Sequence, residues 1–221
     1  MAEEARAAVA ARGSFAFAVS GGSTPWRMLR LLADEDLPWE GVDLFQVDER
    51  IAPDGDPERN LTHLRESLLC RTPLAEDRIH AMPVDAPDLE RAARDHAGVL
   101  RRVAGSPPVL DLVHLGLGAD GHTASLVPGD AVLEVRDADV ALTARAYQGR
   151  RRMTLTYPVL DRARRVLWLV TGRSKAGMLE RLRRGDEEIP AGRVRRERAL
   201  LLVDRDALAG CDPASAEGGA V

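Results

Sequence analysis

The stretch VLDLVHL (residues 109–115), running straight into GLGADGHTAS (residues 116–125), decides how this chain is read. A short, mostly apolar run closed by glycine has the length of a buried strand, and the carboxyl end of a strand is where α/β proteins hold ligands. Four further apolar runs, at residues 15–19, 42–47, 166–170 and 200–203, alternate with segments of helical spacing. Leu61, Leu64 and Leu68 form one such stripe; Leu89, Ala92, Ala93, His96, Leu100 and Val103 form another. The alternation predicts an α/β chain whose buried strands make a mainly parallel sheet flanked by helices. Between residues 132 and 157 the pieces are shorter, at 140–143 and 153–157, and are separated by a Gln148-Gly149 turn, which predicts a small antiparallel addition.

With 221 residues and 45% hydrophobic content the chain suits a single domain, expected over residues 1–210, and the small, polar residues 211–221 are expected to form a flexible tail. The net charge of −4 offers no global field for nucleic acid or an anionic membrane. No apolar run reaches the ~18 residues of a membrane helix, and MAEEARAAVAARG lacks the apolar stretch of a signal peptide. A soluble, cytoplasmic protein with a small-molecule partner is expected, as a monomer or weak homo-oligomer. Cys70 and Cys211 match no metal-ligand spacing and are read as thiols rather than a bridge. Among 31 basic residues only Lys175 is a lysine, which is either drift or a place where a compact ammonium is needed.

Chemistry gathers after the strands. Ser20-Gly21-Gly22-Ser23-Thr24-Pro25 follows the first, Asp48-Glu49-Arg50 the second and Thr171-Gly172-Arg173-Ser174-Lys175 the fourth. Gly21 and Gly22 permit a tight turn, Ser23 or Thr24 can cap a helix whose first turn holds Pro25, and such a helix start seats an anion. Residues 116–121 spell G-x-G-x-x-G, but Pro128-Gly129 breaks the segment too soon for the long helix of a dinucleotide site. What remains is a glycine-lined turn presenting His122 beside Asp120, an imidazole able to take a proton from water and a carboxylate able to orient it.

The other histidines read as structural: His96 on a helix stripe, His114 as a satisfied residue within a strand run, His63 and His80 without accompanying chemistry. No pair has metal-ligand spacing, so neither metal nor cofactor is expected. Neither Ser20 nor Ser23 lies in a nucleophile elbow, and helix capping is the ordinary work of a serine placed like Ser125. Asp48-Glu49-Arg50 has the form of a solvated charge run, but its place at a strand end marks it as a site candidate.

Together SGGSTP (20–25), VDER (47–50), Asn60, LGLGADGHTASL (115–126), RMTLTYPVL (152–160) and VTGRSKAGML (170–179) resemble, in order, the blocks of the 6-phosphogluconolactonase family. The resemblance implies a modified Rossmann-like fold and hydrolysis of 6-phospho-D-glucono-1,5-lactone to 6-phosphogluconate in the oxidative pentose phosphate pathway. Carried onto this chain, it makes His122 the general base, with Asp120 and Asp48 completing the candidate catalytic set. Gly21, Gly22, Ser23, Thr24, Arg50, Asn60, Arg152 and Lys175 become candidates for holding phosphate and sugar. Three departures accompany it. The start is shorter than the family's, so an opening strand and part of the first helix are expected to be missing; Val127 replaces a usual Phe; and Arg59 replaces a usual Ser.

Two rivals share these loops. Glucosamine-6-phosphate deaminases place a glutamate five residues after the loop histidine, where this chain has Val127, and a tyrosine after the acidic pair, which it lacks. A sugar-phosphate sensing module would keep the anion seat and dispense with the base, but no DNA-reading helix-turn-helix is visible.

Overall fold

The computed structural model describes residues 1–209, so Cys211 and the tail expected over residues 211–221 lie outside the described residues. Helix α1 (Ala2–Arg12) leads into strand β1 (Phe15–Val19), helix α2 (Ser23–Ala33) and strand β2 (Val42–Gln46). A short strand β3 (Asp48–Arg50), helix α3 (Asn60–Ser67), strand β4 (Ile79–His80) and helix α4 (Leu89–Ala104) precede the central strand β5 (Leu112–Leu115). Strands β6 (Val140–Leu142) and β7 (Arg152–Leu155), helix α5 (Tyr157–Arg162), strand β8 (Val166–Val170), helix α6 (Ala176–Arg184), strand β9 (Ala199–Val203) and helix α7 (Arg205–Leu208) complete the order.

Six strands form one parallel sheet in the order β4-β2-β1-β5-β8-β9. Sequence order runs outward from β1 through β2 to β4 and from β5 through β8 to β9. The switch point therefore lies between β1 and β5, and the crevice beyond their carboxyl ends is where such a sheet binds ligands. The helices on both faces explain why the strands are mainly apolar. On β1, Phe15, Phe17 and Val19 face a core shared with α1, α2 and α3, while Ala16 and Ala18 face the larger core reached by α4, α5 and α6. Strand β9 departs from the expected burial. Leu200 and Leu202 are 46% and 45% exposed, because they lie on the face of β9 opposite to the one by which Ala199, Leu201 and Val203 pack on the core.

The antiparallel addition is a second sheet in the order β3-β7-β6. Its β6 and β7 match the two alternating pieces, and Gln148 and Gly149, both at positive φ, make the turn between them. Strand β3 was not foreseen. Val47 joins the sheets: its amide donates to Val19 O and its carbonyl accepts from Leu155 N, so the chain passes from β2 into β3 without a loop. This passage sets Asp48 at the mouth of the crevice. No described helix is long and apolar enough to cross a membrane.

Candidate active site

The crevice beyond β1 and β5 holds a cleft of about 280 Å³. Of the site residues expected from the sequence, Gly21, Gly22, Ser23, Thr24, Asp48, Arg50, Asn60, His122, Arg152 and Lys175 line it, while Asp120 stands behind His122. Two glycines are there because nothing larger fits. A Cβ on Gly21 would lie 2.0 Å from Asn60 Oδ1, and one on Gly118 would lie 2.0 Å from His122 Nδ1 and 2.6 Å from Asp120 Oδ1.

His122 Nδ1 and Asp120 Oδ1 are 2.5 Å apart, and the His122 amide also donates to that oxygen at 3.2 Å. Partial burial pushes the Asp120 pKa up, but the hydrogen bond and charge of His122, with the Tyr147 hydroxyl, outweigh it and hold the carboxyl below its usual value. Asp120 is then an acceptor, and Nδ1 is the donor. With Nδ1 committed to Asp120, Nε2 is the nitrogen left for the cleft.

The β1 loop differs in detail from its expected form. The N-cap of α2 is Gly22, at φ 129°, so neither Ser23 nor Thr24 caps: both already lie within the helix. Thr24 Oγ1 instead hydrogen-bonds Thr171 Oγ1 at 2.7 Å, tying the loops after β1 and β8 together. The first amides of a helix have no intrahelical acceptor, and the residues of this helix start, Ser23 and Thr24, line the cleft together with Lys175.

The small sheet supplies the charges. Asp48 is 4% exposed; its Oδ2 accepts from Ser125 Oγ at 2.5 Å and lies 3.8 Å from Arg152 Nη1. Ser125 caps no helix, because Ala124, at φ 52°, turns the chain so that Ser125 reaches a carboxylate 77 residues away. Glu49, fully buried, accepts from Arg50 N, Asn60 N, Leu61 N and Gln46 Nε2, which makes it the anchor of the α3 start and not a solvated charge. Arg50 and Arg152 are direct cross-strand partners. Like charges set opposite one another disfavour the pair, and burial with the charge of Arg50 lowers the Arg152 pKa although Asp48 opposes this. A ligand oxygen accepting from both guanidiniums would relieve the crowding.

The remaining histidines keep the structural character expected of them, with one correction. His114 is buried and accepts a 3.4 Å contact from Ser20 N, but its Nε2 has no partner, so it is not fully satisfied; desolvation lowers its pKa to about 4. His80 pairs with Asp43 at 2.7 Å, and His63 stacks on Trp26. Sequence reading missed Ser125, Tyr147, Gln148 and Thr171 as site neighbours. Of these Ser125 and Thr171 carried a signal, their place in loops that follow strands. Among the described residues no group of three or more His, Cys, Asp or Glu side chains is arranged to hold a metal.

Comparison with known proteins gives a consistent answer. The profile of the family described as glucosamine-6-phosphate isomerases/6-phosphogluconolactonase matches residues 1–203. A 6-phosphogluconolactonase of Mycobacterium tuberculosis is 38% identical over 216 residues, 92% of this chain and 87% of the relative. One from Synechocystis is 40% identical over 172 residues, 76% and 71% of the two chains. Among solved structures, 6-phosphogluconolactonase from Trypanosoma brucei superposes with a TM-score of 0.81 at 26% identity, covering 95% of this chain and 91% of the other. A monomeric glucosamine-6-phosphate deaminase reaches 0.80 at 19% identity over 95% and 93%, a likeness of fold alone. The chain belongs to the family of glucosamine-6-phosphate isomerases and 6-phosphogluconolactonases.

Proposed function

We propose that this protein hydrolyses 6-phospho-D-glucono-1,5-lactone to 6-phosphogluconate, the lactonase step of the oxidative pentose phosphate pathway, with water activated by His122. The observation that carries this reading is the oriented Asp120–His122 pair in a cleft whose lining includes three basic side chains, Arg50, Arg152 and Lys175, and one acidic one, Asp48. A cleft with excess positive charge and a helix start suits a phosphorylated substrate.

In this scheme the phosphate rests on the amides of Ser23 and Thr24 with Lys175, and Arg50 and Arg152 hold the sugar end. Anchoring the substrate so makes attack at C1 effectively intramolecular. His122 Nε2 removes a proton from water as its oxygen bonds to C1; the tetrahedral intermediate then breaks its bond to the ring oxygen, which takes up the proton. Asp120 steadies the imidazolium that forms between the two steps. Ser125 and Arg152 hold Asp48 in place at the cleft wall.

The deaminase reading has less support, because the position of its extra glutamate is Val127, an apolar side chain 7% exposed. We place the protein in the cytoplasm, in keeping with an exposed, unbridged Cys70. The test is lactone hydrolysis by the purified chain, corrected for spontaneous opening, with the phosphorylated and the unphosphorylated sugar lactone. Turnover of the phosphorylated compound with kcat/KM higher by roughly 10²-fold or more is expected, as a charged contact is worth a few kcal/mol. Rates equal to the buffer blank would refute it.

A further inference from the structure

Tyr147 lies at the tip of the β6–β7 ribbon, in a segment where sequence reading found only a turn. Its amide donates to Arg150 O at 2.9 Å around the Gln148-Gly149 turn, and Arg150 is in turn held by Glu58 at 2.6 Å and Asp56 at 3.2 Å. The tip is therefore pinned to the segment just ahead of α3. From this fixed point the Tyr147 hydroxyl reaches Asp120 Oδ2 at 2.9 Å and stands 3.3 Å from His122 Nδ1. Its ring meets the His122 ring edge-on at 5.2 Å, and the Arg152 guanidinium lies 5.0 Å from the ring centroid on its face.

A phenol has one proton to donate. If it went to His122 Nδ1, the imidazole would carry its own proton on Nε2, and the cleft would face a donor instead of a base. Asp120 is ionised and the better acceptor, so the hydroxyl donates to Oδ2 while Nδ1–H donates to Oδ1. The two oxygens of one carboxylate are thus held by two different residues, Oδ1 by His122 and Oδ2 by Tyr147. Without the hydroxyl, Oδ2 of this part-exposed side chain would lose its protein donor, and Asp120 would be held through Oδ1 alone, by the amide and Nδ1 of His122.

We propose that Tyr147 is a positioning residue for the base: it fixes the rotation of Asp120, and through it the tautomer and direction of His122. This rests on the lactonase reading given above. Arg152, over the face of the ring, extends the same assembly to the substrate-holding charges.

Tyr147→Phe keeps the ring and removes the donor. It should lower kcat by roughly 5- to 10-fold with KM little changed, the scale of one net hydrogen bond. Asp120 would then give its charge to the imidazolium alone, so the acid limb of kcat/KM should move to higher pH by about 0.5 unit. The charged groups facing His122 across the cleft, Asp48, Arg50, Arg152 and Lys175, are unchanged by the substitution. In an Asp120→Asn background the same substitution should add less than about 2-fold, because its effect passes through the carboxylate. A Tyr147→Phe protein with wild-type kcat and an unmoved limb would overturn the proposal, as would full additivity with Asp120→Asn. The imidazole nitrogen NMR shifts of His122 give a readout independent of turnover: one tautomer in the wild type and a mixture in Tyr147→Phe. An unchanged tautomer would overturn the proposal even if the lactone were not the substrate, and an inactive wild type with the tautomer shift present would fault only the lactonase reading.

Discussion

In the six-stranded sheet the strands are mainly apolar and reach the cleft through their loops and the apolar end of β8, at Leu169 and Val170; in the three-stranded sheet the strands themselves carry Asp48, Arg50 and Arg152 into it. The difference follows from what covers each sheet. Helices cover most of the parallel sheet, so a polar side chain there needs a partner of its own, as Asp43 has in His80, whereas β3 and β7 leave one face to the cleft and turn Met153 and Leu155 to the core. The large sheet can thus hold a base at a fixed height through glycine-lined turns. The small sheet can crowd charges that a ligand must complete. If this division is right, substitutions in the small sheet change mainly binding, and those in the β5 loop change the chemical step.

Arg152→Met is the hardest trial of that division. It removes a buried guanidinium that meets Asp48, Gln148 and the Tyr147 ring, and should raise KM by roughly 10²-fold with a smaller fall in kcat. A collapse of kcat at unchanged KM would place Arg152 in the chemical step instead. Lys175→Ala should raise KM for the phosphorylated lactone by about 10-fold, and Lys175→Arg should restore little of it, since a planar fork does not replace a compact ammonium. Wild-type behaviour of the arginine variant would mean that the lone lysine is an accident of composition.

The smallest effect on turnover should come from the large sheet's cover. Desolvation, with the nearby His80, lowers the His96 pKa to about 4, and its Nε2 has no partner. The folded protein therefore refuses a proton that the unfolded chain accepts below its reference value of ~6.5, so stability is lost as pH falls from there toward 4. His96→Leu should leave turnover near wild type and recover roughly 2 kcal/mol of unfolding free energy at pH 5 relative to pH 7. Denaturant unfolding at the two pH values measures this; equal acid sensitivity in both proteins would count against a buried neutral His96.

The same contrast explains what could be read in advance. Strands β1 and β8 were plain because a fully buried parallel strand is a continuous apolar run. Strand β3 was hidden because Asp48-Glu49-Arg50 has the composition of a surface turn; nothing local says that Glu49 takes four hydrogen bonds in the interior. The glycine loop and His122 stood out because their spacing is local. Ser125 with Asp48, and Tyr147 with Asp120, were not legible, because each pair is brought together by the ribbon or the sheet junction across long stretches of chain.

The central claim, that His122 in the β5 loop is the base, is tested most directly by the kcat of His122→Asn beside wild type, with spontaneous lactone opening subtracted at each pH. A folded variant with kcat lower by roughly 10²- to 10⁴-fold, KM little changed and no acid limb is the predicted result. A folded variant with near wild-type kcat would contradict it and turn attention to Asp48, the other acceptor on the cleft wall.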